Sequence, residues 1–196
     1  MEIVDVTDEA YRDSVVSRYM SYPKLMLSEK GAKRKMKNPM YYAMILEAVG
    51  DVDATFCGHI NTTGDVLLAA QQTIGMQDGV DVPSIFAMTE IPGFEGSEGN
   101  RIALADCGLN PEPEADELAS IAIASCDNIR ALMSWEPRCA FLSFSTCGSG
   151  TASSVDKILE AIRSAGERRP DLKIDGEFQL DTALIPAVAE KKVNRP

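Results

Sequence analysis

Histidine is almost missing from this chain, and its scarcity narrows the chemistry. One residue, His59, stands among 196, so any Ser-His-Asp or Cys-His site must use it. No G-x-S-x-G elbow accompanies it. The five cysteines, Cys57, Cys107, Cys126, Cys139 and Cys147, are odd in number, widely spaced and free of any C-x-x-C pair. Neither a disulfide framework nor a zinc site is indicated, and a reducing cytoplasm suits such thiols. Basic charge is in deficit as well: 19 Lys and Arg face 30 Asp and Glu, a formal net charge of -11, which repels nucleic acid and anionic membranes. No apolar run nears the roughly 20 residues of a membrane span, and the opening MEIVDVTDEAYRD is charged where a signal peptide needs an apolar core. Internal repeats, coiled-coil heptads and low-complexity tracts are lacking too. The expectation is a cytoplasmic protein with no nucleic-acid or membrane partner and no metal.

What the chain does have is enough apolar material, 45% of its residues, to bury a core. Its period switches repeatedly between strand and helix. Residues 2–6 read as a short strand and Thr7 or Asp8 as the cap of a helix running to about Tyr19. Beyond the basic stretch Lys30 to Lys37, Pro39 suits a first helical turn and Gly50 a helix end. DATFCG (53–58) reads as a buried strand. In the helix that follows, Thr62 or Thr63 serves as cap, with Val66, Leu67, Ala70 and Ile74 on one face. Residues 84–91 and 101–105 are strand candidates joined by the turn-rich PGFEGSEGN, which suits an exposed hairpin or loop. A long helix follows over 115–133, then the strand CAFLSFST (139–146), the helix SVDKILEAIRSAGERR (154–169), a short strand KIDGEFQL and a last helix TALIPAVAEKK. Such alternation predicts α/β architecture with a mainly parallel sheet flanked by helices.

The stretch Ser145-Thr146-Cys147-Gly148-Ser149-Gly150 falls where CAFLSFST ends and a helix begins. In open α/β sheets ligands sit beyond the carboxyl ends of the strands. Small residues let a backbone approach a ligand closely, and the N–H groups of the next helix, with Ser153 as its cap, attract anions. A plain strand-to-helix connection explains the same composition equally well. The loop is neither a P-loop, since no Gly-Lys-Ser/Thr closes it, nor a G-x-G-x-x-G dinucleotide loop. Ser145, Ser149 and Cys147 are nucleophile candidates only if His59 is near, and no sequence-adjacent cation activates Cys147. Asp53, Asp65, Asp106 and Asp175 fall at predicted junctions, where carboxylates cap helices, orient ligands or take protons. Asp106-Cys107-Gly108 and Asn110-Pro111 are candidates to line a cleft. The run Lys33 to Lys37 reads either as an anion lure or as a solvated helix face.

Four stretches, TTGDVLLAA (62–70), LADCGLNPEPEADELASIAIASCDNIRAL (104–132), FLSFSTCGSG (141–150) and RPDLKIDGEFQLDTALIPAVAEKK (169–192), together resemble the phosphate acetyltransferase and phosphate butyryltransferase family. The resemblance implies an α/β fold with two lobes around a cleft, incomplete here relative to the family. Residues 1–80 would form part of the first lobe and 81–196 the second. It implies acyl transfer between acyl-CoA and inorganic phosphate, with coenzyme A as substrate, no tightly bound cofactor, no metal, and a homodimer or other homo-oligomer. On this reading Ser145, Thr146, Gly148, Ser149 and Gly150 form an anion-binding cleft wall. Thr62, Thr63 and Asp65 stand opposite at a helix start, and Asp106 and Asn110 add polar groups from a neighbouring loop. No catalytic residue is assigned.

Several positions depart from the family pattern. Its Leu-Arg-Pro is Leu67-Leu68-Ala69 here, its S-T-K-G-S lysine is Cys147, and a histidine frequent at Asn61 is absent. Its Tyr-Glu-Leu-Arg arginine finds only Lys24 as a nearest substitute. Its Ser-Arg pair and following Asp lie in a C-terminal part that the sequence does not include, so the chain resembles an internal portion of the family. Loss of two arginines removes charge-assisted bonds of about 1.5–3 kcal/mol each from a dianion site. Two functions follow: acyl transfer to phosphate, with a longer chain or a partner chain supplying the missing segments, or a catalytically impaired ligand-binding or assembly subunit. A serine or cysteine hydrolase would depend on His59.

Overall fold

A computed structural model describes residues 3–193. The chain divides into two compact units, Met1–Gln77 and Asp78–Pro196.

The first unit contains four helices among its described residues: α1 (Glu9–Tyr19), α2 (Glu29–Lys35), α3 (Pro39–Ala48) and α4 (Thr63–Thr73). Each begins on a polar cap that satisfies an orphan amide. Asp8, Ser28, Asn38 and Thr62 accept from Tyr11, Gly31, Met40 and Asp65, and such a cap is worth about 1 kcal/mol. Val15, Val16 and Tyr19 of α1 pack on Ala32, Met36, Tyr42, Ile45 and Leu46. A second cluster, Met40, Tyr41, Met44 and Ala69, joins α3 to α4. The hydroxyls of Tyr19 and Tyr22 donate to the carbonyls of Thr73 (2.9 Å) and Ile74 (2.7 Å), satisfying acceptors that the end of α4 leaves unpaired. The buried face of α4 centres on Ala69 and Thr73, with Val66, Ala70 and Ile74 beside it, rather than on Leu67.

The second unit opens with a hairpin. Strand β1 (Phe86–Glu90) pairs antiparallel with β2 (Arg101–Ala105), Phe86 opposite Ala105 and Glu90 opposite Arg101. Helix α5 (Ala115–Met133), strand β3 (Arg138–Leu142), helix α6 (Ser153–Arg168) and strand β4 (Lys173–Phe178) follow. The β3-α6-β4 segment is a crossover unit with parallel strands. Small residues let α5 and α6 approach: Ala119 and Ala165 share one cluster with Ile123, Cys126 and Leu172, while Ala122 and Ala161 share another with Phe141. Two short helices, α7 (Leu180–Leu184) and α8 (Pro186–Lys192), end the unit.

The β3–β4 register slips once. Ala140 faces Asp175 and Leu142 faces Phe178, so Gly176 and Glu177 together oppose Phe141. Such a bulge bends its strand and re-aims a side chain. Only glycine fits at position 176, where φ is +154° and a Cβ would lie 2.9 Å from the Phe141 carbonyl oxygen.

The α/β class holds, but the sheets differ from the expected mainly parallel one. Among the described residues there are two two-stranded sheets, one antiparallel and one parallel: PGFEGSEGN folds back as the hairpin its turn residues suit, and the β3–β4 pair is the one joined by a crossover helix. No strand forms over residues 3–6 or 53–58, and Glu2 lies outside the described residues. Ile3 and Phe56 are almost fully exposed; extended segments without a paired ladder are not strands. Strand β3 stops at Leu142, earlier than expected, and Ile185-Pro186 divides the expected final helix in two. Proline lacks the N–H that a continuous helix would use.

Candidate functional site

The Ser145–Gly150 loop follows β3 and is built around one buried carboxylate. Glu177, 2% exposed, is presented by the β4 bulge. Its Oε1 accepts from the Ser145 hydroxyl (2.8 Å) and from the Gly148 amide (2.8 Å). Its backbone carbonyl accepts from the Cys147 amide (3.2 Å). Cys147 and Gly148 adopt successive positive φ values of 49° and 82°, a tight turn from which the Cys147 amide meets the Glu177 backbone carbonyl and the Gly148 amide its carboxylate. The remaining amides close on the loop itself. Ser145 donates to Ser143 Oγ, Thr146 to Ser149 Oγ, Ser149 to the Thr146 carbonyl and Gly150 to Ser145 Oγ.

The expectation that these amides meet an external oxyanion therefore needs correction in its physical basis: every amide from Ser145 to Gly150 already has a protein acceptor. A buried carboxylate is costly unless it is hydrogen-bonded, and the loop meets that cost. Thr146 is also inward, with Oγ1 accepting from the Gln179 amide (2.9 Å) and lying 3.4 Å from Thr182 Oγ1. Cys147, Gly148 and Ser149 are exposed. Ser145 and Thr146 thus form the frame of the loop, and residues 147–149 its outer rim. Ser145 directs its proton to Glu177, not to a histidine, and His59 lies in an exposed stretch of the first unit. Ser153 is the first helical residue of α6, not its cap; Ala152 occupies the cap position without a side-chain bond.

Thr62, Thr63 and Asp65 gather at the start of α4. Thr62 Oγ1 donates to Asp65 Oδ2 (2.8 Å) and accepts from the Asp65 amide (3.1 Å), a reciprocal cap that leaves Thr63 exposed beside it. Two turns on, Leu68 is 49% exposed where the family pattern has arginine.

Asp106 and Asn110 close a loop of their own. Asp106 accepts from the amides of Gly108, Leu109 and Asn110 (3.2, 3.2 and 3.0 Å) and from the Asn110 side chain. Asn110 also donates to the Pro83 carbonyl (2.9 Å). Burial by itself raises the Asp106 pKa, but these bonds outweigh it and hold the carboxyl below the usual aspartate range. Because the folded value is the lower one, this stabilisation is complete above about pH 4 and is lost as pH falls through the folded pKa. In acid titrations of unfolding, Asp106→Asn is expected to lose less stability than wild type below pH ~4, the remaining loss coming from other carboxylates held low, such as Asp51 and Asp171; identical profiles would contradict it.

Glu177, the carboxylate that organises this loop, was not singled out from the sequence, because KIDGEFQL also holds Asp175 and nothing local distinguishes the buried acid from the other. Among the described residues no group of three or more His, Cys, Asp or Glu side chains could hold a metal ion, and no helix is long and apolar enough to cross a membrane.

Comparison with known proteins assigns the lineage. The family model described as phosphate acetyl/butaryl transferase matches residues 1–195. A phosphate acetyltransferase of Thermoanaerobacterium thermosaccharolyticum is 41% identical over 161 residues, which is 82% of this chain and 49% of that protein. One from Clostridium acetobutylicum is 41% identical over 167 residues, covering 85% and 50%. The solved EutD phosphotransacetylase from Staphylococcus aureus superposes with a TM-score of 0.80 at 32% identity, over 97% of this chain and 57% of its own. The chain belongs to the phosphate acetyl/butyryl transferase family. It spans about half the length of the curated relatives it matches.

Proposed function

We propose that this chain takes part in transferring an acetyl or other short acyl group between coenzyme A and inorganic phosphate. The observation that carries the reading is the family match across residues 1–195. In the reaction a phosphate oxygen attacks the thioester carbonyl, the tetrahedral oxyanion collapses, and the C–S bond breaks to release coenzyme A thiolate and acyl phosphate. No covalent enzyme intermediate is needed; positioning and oxyanion donors suffice.

In this proposal residues 1–80 belong to a first lobe and residues 81–196 to a second, and the protein acts in the cytoplasm. Thr62, Thr63 and Asp65 contribute from one lobe. The Ser145, Thr146, Gly148, Ser149 and Gly150 loop contributes from the other, with Ser145 and Thr146 holding its shape and Ser149 facing substrate. Asp106 and Asn110 shape an adjoining loop. The cations that a dianion needs come from a second copy or another polypeptide, because Leu68 and Cys147 supply none. The test is phosphate-dependent release of free thiol from acetyl-CoA by the purified protein, read with a thiol reagent. Release that requires phosphate supports the proposal; none, either alone or with the neighbouring coding sequence restored, overturns it.

A second reading, a ligand-binding or assembly subunit without turnover, is favoured by one observation: the carboxylate that fills the loop is the protein's own. Calorimetric binding of coenzyme A without phosphate-dependent release would support this reading over the first.

A further inference from the structure

Two cysteines that play no part in the proposed transfer lie side by side. Cys126, buried in α5, and Cys139, half-buried in β3, pack in one cluster with Ala119, Ala165 and Leu172. The neighbouring Cys139 thiol holds Cys126 below the usual thiol range, and the Cys126 thiol, reinforced by burial, pushes Cys139 up. The Asp127 carboxylate and the Arg130 and Arg169 guanidinium groups stand near Cys126, the last two ion-paired with Asp127 at 3.9 and 2.6 Å. Both residues also line an open groove of about 1370 Å³ in the second unit, the side from which a small oxidant would approach the half-buried Cys139 and the buried Cys126. Neighbouring thiols, one buried and one half-buried, differ from Cys107 and Cys147, which are exposed.

We infer that Cys126 and Cys139 form a redox-sensitive dithiol, converted by hydrogen peroxide into an intramolecular disulfide that staples α5 to β3. The Cys126 thiolate attacks one peroxide oxygen; the S–O bond forms, the O–O bond breaks, and hydroxide leaves. Cys139 then attacks the sulfenic sulfur. The S–S bond forms, the S–O bond breaks, and the departing hydroxide takes the Cys139 proton to become water. Two thiols lose two electrons in total, and one peroxide is reduced to two waters. The nucleophile and the resolving thiol already share one packed cluster, so the second step needs little chain movement.

The disulfide would close the segment 127–138 and narrow the freedom of the unfolded chain. Arg130 and Arg138 lie between the two cysteines, so trypsin separates them unless they are bonded. The experiment treats the native, reduced protein with hydrogen peroxide, blocks remaining thiols, digests with trypsin and reads the peptides by mass spectrometry without reductant. The expected result is a linked Cys126–Cys139 peptide, lighter by two hydrogens, reversed by dithiothreitol, with a raised thermal midpoint of the oxidised protein. A triple variant, Cys57→Ser, Cys107→Ser and Cys147→Ser, keeps both partners and should form the same link. Links made only by the exposed cysteines, oxidation of Cys126 or Cys139 to the sulfinic acid without a link, or a link formed only in denaturant would each overturn the inference. This outcome is independent of acyl-transfer activity.

Discussion

Replacing Glu177 with alanine is expected to cost the second unit about 3 kcal/mol, a fall of roughly 10 °C in its melting midpoint. The mutation removes two hydrogen bonds to a charged acceptor, each worth about 1.5–3 kcal/mol, and leaves the buried Ser145 hydroxyl only the Gly150 carbonyl at 3.3 Å as an acceptor. Part of this is offset because a desolvated carboxylate no longer has to be buried. Glu177→Gln keeps an oxygen where Oε1 accepts from both donors, so it should cost about 1 kcal/mol. The vacated site offers the Ser145 hydroxyl and the Gly148 amide, and it should accept a small external carboxylate. Formate or acetate is therefore expected to restore part of the midpoint of Glu177→Ala and none of that of Glu177→Gln. Thermal unfolding with and without formate is the measurement. Equal stability of Glu177→Ala and wild type would remove Glu177 from its place as the anchor of the loop.

The second large effect concerns the glycine that precedes it. In Gly176→Ala the new Cβ would meet the Phe141 carbonyl oxygen at 2.9 Å, and Ile162 Cδ1 and Phe141 Cβ at 3.0 Å, with φ at +154°. Overpacking costs typically about 1–3 kcal/mol, and the unfavourable φ adds about 1–3, so a loss of about 3 kcal/mol or more is expected. The nearest obstacle is backbone and cannot swing away, hence relief requires β4 to separate from β3. Gly166→Ala is the control. Position 166 lies within α6 with nothing within 4 Å of its Cβ site, and alanine there should stabilise by about 0.5–1 kcal/mol. Chemical denaturation of the two variants should therefore show opposite signs. A neutral Gly176→Ala would mean that the bulge does not hold the close approach described.

Both predictions rest on contacts between residues far apart in sequence, which is where sequence reading reached its limit. The α4 cap at Thr62 and the α5 span Ala115–Met133 were legible because their signals are local: a capping hydroxyl, acidic residues in the first turn, an apolar period near 3.6. The loop after β3 was legible as a loop. Its filling was not, because Glu177 reaches Ser145 only after α6 has returned the chain and the β4 register has slipped by one residue. The absent strands over 3–6 and 53–58 fail for a related reason. Apolar alternation qualifies a segment for pairing, but a ladder needs a neighbour. Ser153 looked like a cap by residue type, yet the chain enters α6 one residue earlier, at Ala152.

The sequence by itself determined the α/β class, most helix limits, the paucity of histidine that weighs against a triad, and the family motifs. Each is a property of composition, of spacing, or of residues within a few positions of one another, where backbone sterics and capping act directly. Only the tertiary structure decided that the glycine-serine loop encloses Glu177, that the Asp106 carboxylate serves its own turn, and that Cys126 meets Cys139. Those outcomes depend on crossover geometry, strand register and helix packing, which bring distant groups to hydrogen-bonding distance and have no local signature in the chain.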